Sequence, residues 1–314
     1  MWFWNGPNYA NANRCLPPHN WTLLLKVILR SLRPKQWTKN GLLFAALVFS
    51  FNFLDSSAVL RCIAGFACFS LISSFGYIYN DLRDREADAL HPKKSKRPIA
   101  SGELLPSRAI VIMGFLAVIG LGGAWMLSPS FLVIVLLYMS TTLFYSLFLK
   151  HHVILDVMGI AAGFIWRAVA GAVVIDVQIS EWLLLCTAFL ALFLGFNKRR
   201  GELLKLEDKA AEHRRNLADY TPEMLDQCQA VTTSGTVISY ALYTVLASPL
   251  KTPWLLITLP YVLYGIFRYT FLVQVRGAGE SPEEILLRDR GILLTCLLYL
   301  VTAVVILLVA EPAL

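Results

Sequence analysis

Charge is scarce in this chain. Only 16% of its 314 residues are Asp, Glu, Lys or Arg, while 57% are hydrophobic and the mean hydropathy is +0.59. An ordinary soluble domain carries about 25% charged residues and about 45–50% apolar ones. That shortfall excludes a plain cytosolic enzyme and any disordered or fibrous class. Cysteine is also sparse: the six residues show no CxxC spacing, so neither a disulfide framework nor a zinc site is expected. Residues 1–20 lack the charged start and apolar core of a signal peptide. They read as a cytoplasmic N-terminal tail, and residues 21–314 as a single integral membrane catalytic domain. No repeat or low-complexity segment divides it.

What the chain has instead is long apolar runs. A bilayer crossing takes about 20 mostly apolar residues. Nine stretches qualify or come close, at 38–54, 58–79, 109–127, 129–148, 153–175, 180–196, 230–248, 253–273 and 291–309. The first is the weakest, because Asn40 and Asn52 flank a short run. Lipid offers no water to the backbone, so these segments are expected to be helices, giving an all-α, polytopic bundle. Residues 21–32 alternate apolar and basic positions and suit an interfacial helix anchored by Trp21.

The net charge of +7 first suggests a nucleic-acid ligand. Its distribution argues otherwise. Of the 28 basic residues, 25 fall before the first stretch or in alternate connections; Arg61 and Lys251 lie on the opposite side, and Arg167 lies within the fifth stretch. The positive-inside rule then places the N-terminus and the long connections in the cytoplasm and the C-terminus outside. The excess of cations is mainly topology, and no nucleic-acid partner is expected.

The most unusual segment runs from Asn80 to Asp88, at the cytoplasmic end of the second stretch. On a continuing helix, Asn80, Asp84 and Asp88 share one face at i, i+4 and i+8, with Asp81 beside them. Converging carboxylates repel unless a cation joins them, and hard oxygen donors favour Mg²⁺, with Mn²⁺ as an alternative, over zinc. The plainer reading is a solvated helix end with Arg83 and Arg85 as ion-pair partners. A basic segment follows, with Lys93, Lys94, Lys96 and Arg97. Lys96 and Arg97, held against Pro98, suit a fixed phosphate clamp; Lys93 and Lys94 equally suit contact with anionic lipid.

Three more clusters lie at cytoplasmic ends: Arg33, Lys35 and Lys39; Tyr145 and Lys150; and Lys198, Arg199, Arg200 and Glu202. Arg167 stands about ten residues inside a span, where an arginine by default lines a polar cavity or meets an anion. A structural pairing with a helix carbonyl or a carboxylate is the alternative. His91, His151 and His152 lie on the same face and fit the membrane interface better than proton transfer.

The NDxxDxxxD pattern of Asn80–Asp88 after the second of nine helices resembles the UbiA-type intramembrane prenyltransferase superfamily, from about Leu32 onward. The resemblance implies a helical bundle with a cytoplasmic-facing active site, in which this motif holds Mg²⁺ and, through it, a donor diphosphate. Members normally carry a second DxxxD motif after helix six, where this chain reads KRRGELLKLED. That departure, with RPKQWTKN at 33–40, HPKKSKRPIASG at 91–102, the run at 145–172 and KRRGEL at 198–203, is similar to the decaprenyl-phosphate phosphoribosyltransferase branch.

That branch implies transfer of 5-phosphoribose from 5-phosphoribosyl 1-diphosphate to a polyprenyl (decaprenyl) phosphate, releasing diphosphate, for cell-wall arabinan precursors. It implies a multi-pass protein of the bacterial inner membrane, in contact with lipids, and leaves a homo-oligomer open. Asp81, Asp84 and Asp88 would be catalytic, and with Asn80 would bind metal. Lys35, Lys39, Arg83, Lys96, Arg97, Tyr145, Lys150, Arg167, Lys198, Arg199 and Glu202 would contact substrate. Two other classes compete: a UbiA-type prenyltransferase acting on an aromatic acceptor, and a transporter. The charged groups lie on one membrane face rather than at mid-depth, which disfavours the transporter.

Overall fold

The computed structural model describes residues 21–91, 93–206, 217, 219–247, 253–277 and 282–310. The tail 1–20 lies outside them. All regular structure among them is helical. Helix α1 (Trp21–Leu32) leads into a 3-10 segment (Pro34–Leu42) and the short α2 (Leu43–Phe49). Then come α3 (Ser56–Arg83), α4 (Arg85–Leu90), α5 (Pro106–Leu127), α6 (Pro129–Leu147), α7 (Leu155–Val174) and α8 (Glu181–Leu206). The remainder is α9 (Pro222–Leu242), α10 (Leu259–Gln274), α11 (Pro282–Arg288) and α12 (Arg290–Val309).

Helix starts follow local chemistry. Asp55, Ser128, Thr221 and Asp289 each accept a backbone N–H of the first turn at the starts of α3, α6, α9 and α12. Pro106, Pro129 and Pro222 sit in first turns, where a missing N–H costs nothing.

Among the described residues, seven helices are long and apolar enough to cross a membrane, in place of the nine stretches expected. Two stretches differ. The segment 38–54 is a 3-10 turn, the seven-residue α2 and a second 3-10 turn at Asn52–Leu54, broken where Phe51 takes φ 62°. Its α2 backbone lies against α7: a Cβ on Gly171 would stand 2.1 Å from the Leu43 carbonyl oxygen. Close backbone contact, rather than a long apolar surface, holds that segment. The stretch 230–248 belongs to α9, which starts eight residues earlier and ends in a π-helical turn (Tyr243–Ala247). Its Gln229, Thr232, Thr236 and Ser239 are buried against neighbours rather than facing lipid.

Helices α3, α5, α6, α7, α8 and α9 pack successively. Phe69, Phe131 and Tyr138 stack between α3 and α6, while Phe193 and Tyr269 join α8 to α10. The long apolar faces of α5 and α12 stay exposed, with Phe115, Val118, Leu297 and Val301 on the surface, as lipid-facing helices require.

Two helices overrun the boundaries that hydropathy suggests, and both bring polar residues to one end of the bundle. Helix α3 carries Asn80 and Asp81 in its last turn, and α8 carries Lys198 to Leu203 as helix rather than connection.

Candidate active site

A cavity of about 870 Å³ opens between α3, α4, α6, α7, α8 and the 3-10 segment before α2. On α3 its wall is Ser73, Gly76, Tyr77, Asn80 and then Asp84 at the helix end; on α6 it is Tyr138, Thr142 and Tyr145. From Ser73 to Asp84 the helix rises about 16 Å at 1.5 Å per residue. The outer end is charged, whereas Ile160, Phe164, Ala191 and Leu194 line the wall on α7 and α8.

At Asp84 the helix breaks, with φ −95° and ψ 8°, and α4 begins at Arg85. The single i, i+4, i+8 face expected for Asn80, Asp84 and Asp88 is therefore bent, yet all three still line the cavity. Asp81 does not. It is buried, with Arg33 and Arg97 on its Oδ1 at 2.5 and 3.0 Å. Arg97 also donates to Asp88 Oδ2 at 2.5 Å. Burial pushes the Asp88 carboxyl above its ordinary range, against the pull of Arg97. Lys150 donates to Asp84 Oδ1 at 2.5 Å and to Asn80 Oδ1 at 3.4 Å. The partners of these three carboxylates are thus Arg33, Arg97 and Lys150, brought from other elements.

Among the described residues, no three His, Cys, Asp or Glu side chains converge to hold a metal by themselves. The donor set nevertheless fits Mg²⁺, which is usually bound by one or two carboxylates together with substrate phosphates and water. The Lys150 ammonium marks a cation position between the oxygens of Asn80 and Asp84, and Asp88 stands on the same cavity wall.

On the facing wall, Lys198 and Glu202 are one turn apart on α8, with Nζ and Oε1 4.0 Å from each other. Lys198 lies within electrostatic reach of Lys39 and Tyr145, both also cavity residues. Arg199 points elsewhere. It is buried in an ion pair with Asp156 at 2.6 Å and bonds to Glu202.

Of the residues expected at the site from sequence, Asn80, Asp84, Asp88, Lys39, Arg97, Tyr145, Lys150, Lys198 and Glu202 line this one cavity. Lys35, Arg83 and Lys96 are exposed and off the cavity wall; Asp81, Arg167 and Arg199 are buried behind it. Arg167 donates to Asn40 Oδ1, the Gly163 carbonyl and the Tyr138 hydroxyl, each at 2.7 Å, and lies over the Tyr138 ring. Polar cavity residues outside the expected substrate set include Ser73, Ser146, His91 and His151, the two histidines being ones expected at the membrane interface, and also Arg33, Lys94, Tyr77, Tyr138 and Thr142. A signal for the last three existed: polar side chains recur at helical spacing through apolar spans, at 73, 77, 80 and 84 and at 138, 142 and 145.

The UbiA prenyltransferase family model matches residues 41–283. Decaprenyl-phosphate phosphoribosyltransferase of Mycobacterium tuberculosis is 34% identical over 290 residues, covering 91% of this chain and 95% of that protein. The protein of the same name from Mycolicibacterium smegmatis is also 34% identical, over 289 residues, covering 87% of this chain and 89% of its own. A UbiA homolog from Archaeoglobus fulgidus, solved bound to GPP and Mg²⁺, superposes with a TM-score of 0.70 at 22% identity, covering 90% of this chain and all of that one.

Proposed function

The chain belongs to the UbiA prenyltransferase family of multi-pass membrane transferases, and from that premise we propose that it moves 5-phosphoribose from 5-phosphoribosyl 1-diphosphate to a polyprenyl phosphate. The observation that carries this reading is the charge of the cavity wall. Arg33, Lys39, Lys94, Arg97, Lys150 and Lys198 face Asp84, Asp88 and Glu202. Six cations against three carboxylates suit a donor with a phosphate at one end and a diphosphate at the other. The names of the Mycobacterium and Mycolicibacterium relatives support transfer of a phosphoribosyl group to decaprenyl phosphate, while a role in arabinan precursor synthesis rests on the resemblance of the sequence motifs alone.

In this reading Asn80, Asp84 and Asp88 hold a divalent ion, as the Mg²⁺ in the Archaeoglobus relative suggests. When bound, that ion neutralises charge on the diphosphate leaving group. Arg33 and Arg97, anchored on Asp81, and Lys150 donate to the same diphosphate oxygens. Lys39 and Lys198 take the 5-phosphate, while Tyr145 and Glu202 meet the ribose hydroxyls. The bond from ribose C1 to the diphosphate oxygen breaks, and diphosphate leaves with the electron pair. A lipid phosphate oxygen forms the new bond to C1 from the opposite face. Its nucleophile is already anionic, so no side chain has to remove a proton. The apolar residues Ile160, Phe164 and Leu194 receive the lipid next to its phosphate.

The cationic end of the bundle faces the cytoplasm in a bacterial inner membrane. α1 lies along the interface, and the segments at Pro34–Leu54 and Pro222–Ala247 complete nine crossings of one catalytic domain. The test is transfer itself. Purified protein with Mg²⁺, ribose-labelled phosphoribosyl diphosphate and a polyprenyl phosphate should place label in the lipid fraction. An unlabelled lipid fraction, with prenylation of an aromatic acid from a prenyl diphosphate, would instead establish the aromatic prenyltransferase.

A further inference from the structure

Behind the α8 wall lies a buried chain of charged and polar groups that the transfer reaction does not itself use. Asp156 at the start of α7 is 0% exposed and Arg199 is 1% exposed. Arg199 Nε stands 2.6 Å from Asp156 Oδ2, an ion pair whose angle falls short of a hydrogen bond. The Tyr220 hydroxyl donates to Asp156 Oδ1 and accepts from the Ile154 N–H, both at 2.7 Å. Burial, then the bond to Asp156, pushes that hydroxyl's pKa up, so it stays a donor at neutral pH. At the other end, Arg199 Nη1 donates to Glu202 Oε2, while Glu202 Oε1 faces Lys198. Only Lys198 and Glu202, of these five, reach the cavity.

We propose that Asp156 and Tyr220 are positioning residues, which through Arg199 fix the rotation of the Glu202 carboxylate so that Oε1 is presented to the donor. This rests on the reading of Glu202 as a ribose contact. A carboxylate on an unsupported glutamate rotates about χ3, and a long side chain pays rotamer entropy when it is ordered by substrate. Arg199 removes that freedom in advance. Arg199 in turn needs Asp156, since a buried guanidinium left with too little negative charge is strongly unfavourable. Tyr220 occupies one oxygen of Asp156 and leaves the other for Arg199. The strained Ile154, at φ 68°, bonds to the same hydroxyl and ties the start of α7 to the same point.

The test uses the full chain in lipid nanodiscs with labelled phosphoribosyl diphosphate and polyprenyl phosphate, measuring both KM values, kcat and thermal stability. Glu202→Gln should raise the donor KM about 10- to 100-fold, and Asp156→Asn should do the same with the lipid KM within about twofold, the range for lost outer-shell partners. Tyr220→Phe should give a smaller rise of about five-fold. Asp156→Asn leaves Arg199 short of negative charge and can fail to fold, so the double variant Asp156→Asn/Arg199→Gln carries the decision. Stability should return toward wild type while the donor KM stays high. Recovery of donor KM together with stability would overturn the proposal, as would wild-type donor KM in folded Tyr220→Phe or in Glu202→Gln. Absence of transfer by the wild type would instead overturn the donor assignment.

Discussion

On the α3–α4 rim of the cavity, Asn80, Asp84 and Asp88 turn oxygens inward, and cations from other elements answer them: Lys150 at Asp84, Arg97 at Asp88, with Arg33 and Arg97 on Asp81 behind. On the α8 rim the order is reversed. Lys198 faces inward, and the carboxylates serve a buried arginine, Arg199, between Asp156 and Glu202. One rim turns carboxylate and amide oxygens into the cavity; the other turns in the Lys198 ammonium beside Glu202. In the proposed reaction the two rims would meet a polyanion by different means, one through a divalent ion and the other through a side-chain cation.

Substitutions that break this contrast should differ in size. The largest effect is expected for Asp84→Ala, which removes an oxygen from the ion-binding rim. Turnover should fall about 1,000-fold, as for loss of a central transition-state contact, with membrane insertion unchanged by fractionation. Lys198→Asp makes the α8 rim resemble the α3 rim; it should raise the donor KM by about 100-fold or more at fixed Mg²⁺, measured by initial rates. Lys198→Ala removes the charge without inverting it, and an increase of about 10- to 100-fold is expected, the scale of one or two charge-assisted hydrogen bonds. Arg97 bonds both Asp81 and Asp88 through Nη1 alone, so Arg97→Lys keeps a charge that can still meet them but loses the remaining guanidinium donors proposed for the diphosphate, and about a ten-fold loss in kcat/KM should follow. The smallest effect belongs to Arg30→Ala. Its pair with Glu103 is half exposed and contributes less than about 1 kcal/mol, so thermal stability should move by only a few degrees, with the donor KM unchanged.

The two rims were also unequally legible in the sequence. Asn80 with Asp81, Asp84 and Asp88 is a dense run of oxygen donors beside an apolar span, and that pattern marked the segment as a candidate cation site; all but Asp81 line the cavity. The pairing of Asp81 with two arginines depends on Arg33 arriving from 48 residues earlier, which periodicity cannot display. The α8 rim looked like a basic connection because hydropathy falls at Asn197. Helix α8 continues to Leu206 because Phe193 and Phe196 seat it in the core and Arg199 finds Asp156. Lys198 and Glu202 therefore reach the cavity at i, i+4, while Arg199 between them turns away. Arg167 was visible as an anomaly within its span, but its neutral partners Asn40, Gly163 and Tyr138 come from three elements. The exposed apolar faces of α5 and α12 were readable from composition. The short α2 was not, because the close approach at Gly171 replaces the apolar surface that a full span would need.

Under the proposed function, selection of a phosphorylated sugar diphosphate over a prenyl diphosphate falls to Lys198, the cation that the α8 rim turns into the cavity. Its most direct measurement is the ratio of kcat/KM for 5-phosphoribosyl 1-diphosphate and for geranyl diphosphate, each with its matching acceptor, in wild type and in Lys198→Ala. The wild type should favour the phosphoribosyl donor by at least about 100-fold, and Lys198→Ala should cut that preference about ten-fold or more, in keeping with the loss of one charge-assisted contact. A wild-type ratio near one, or a preference that survives Lys198→Ala intact, would contradict the account.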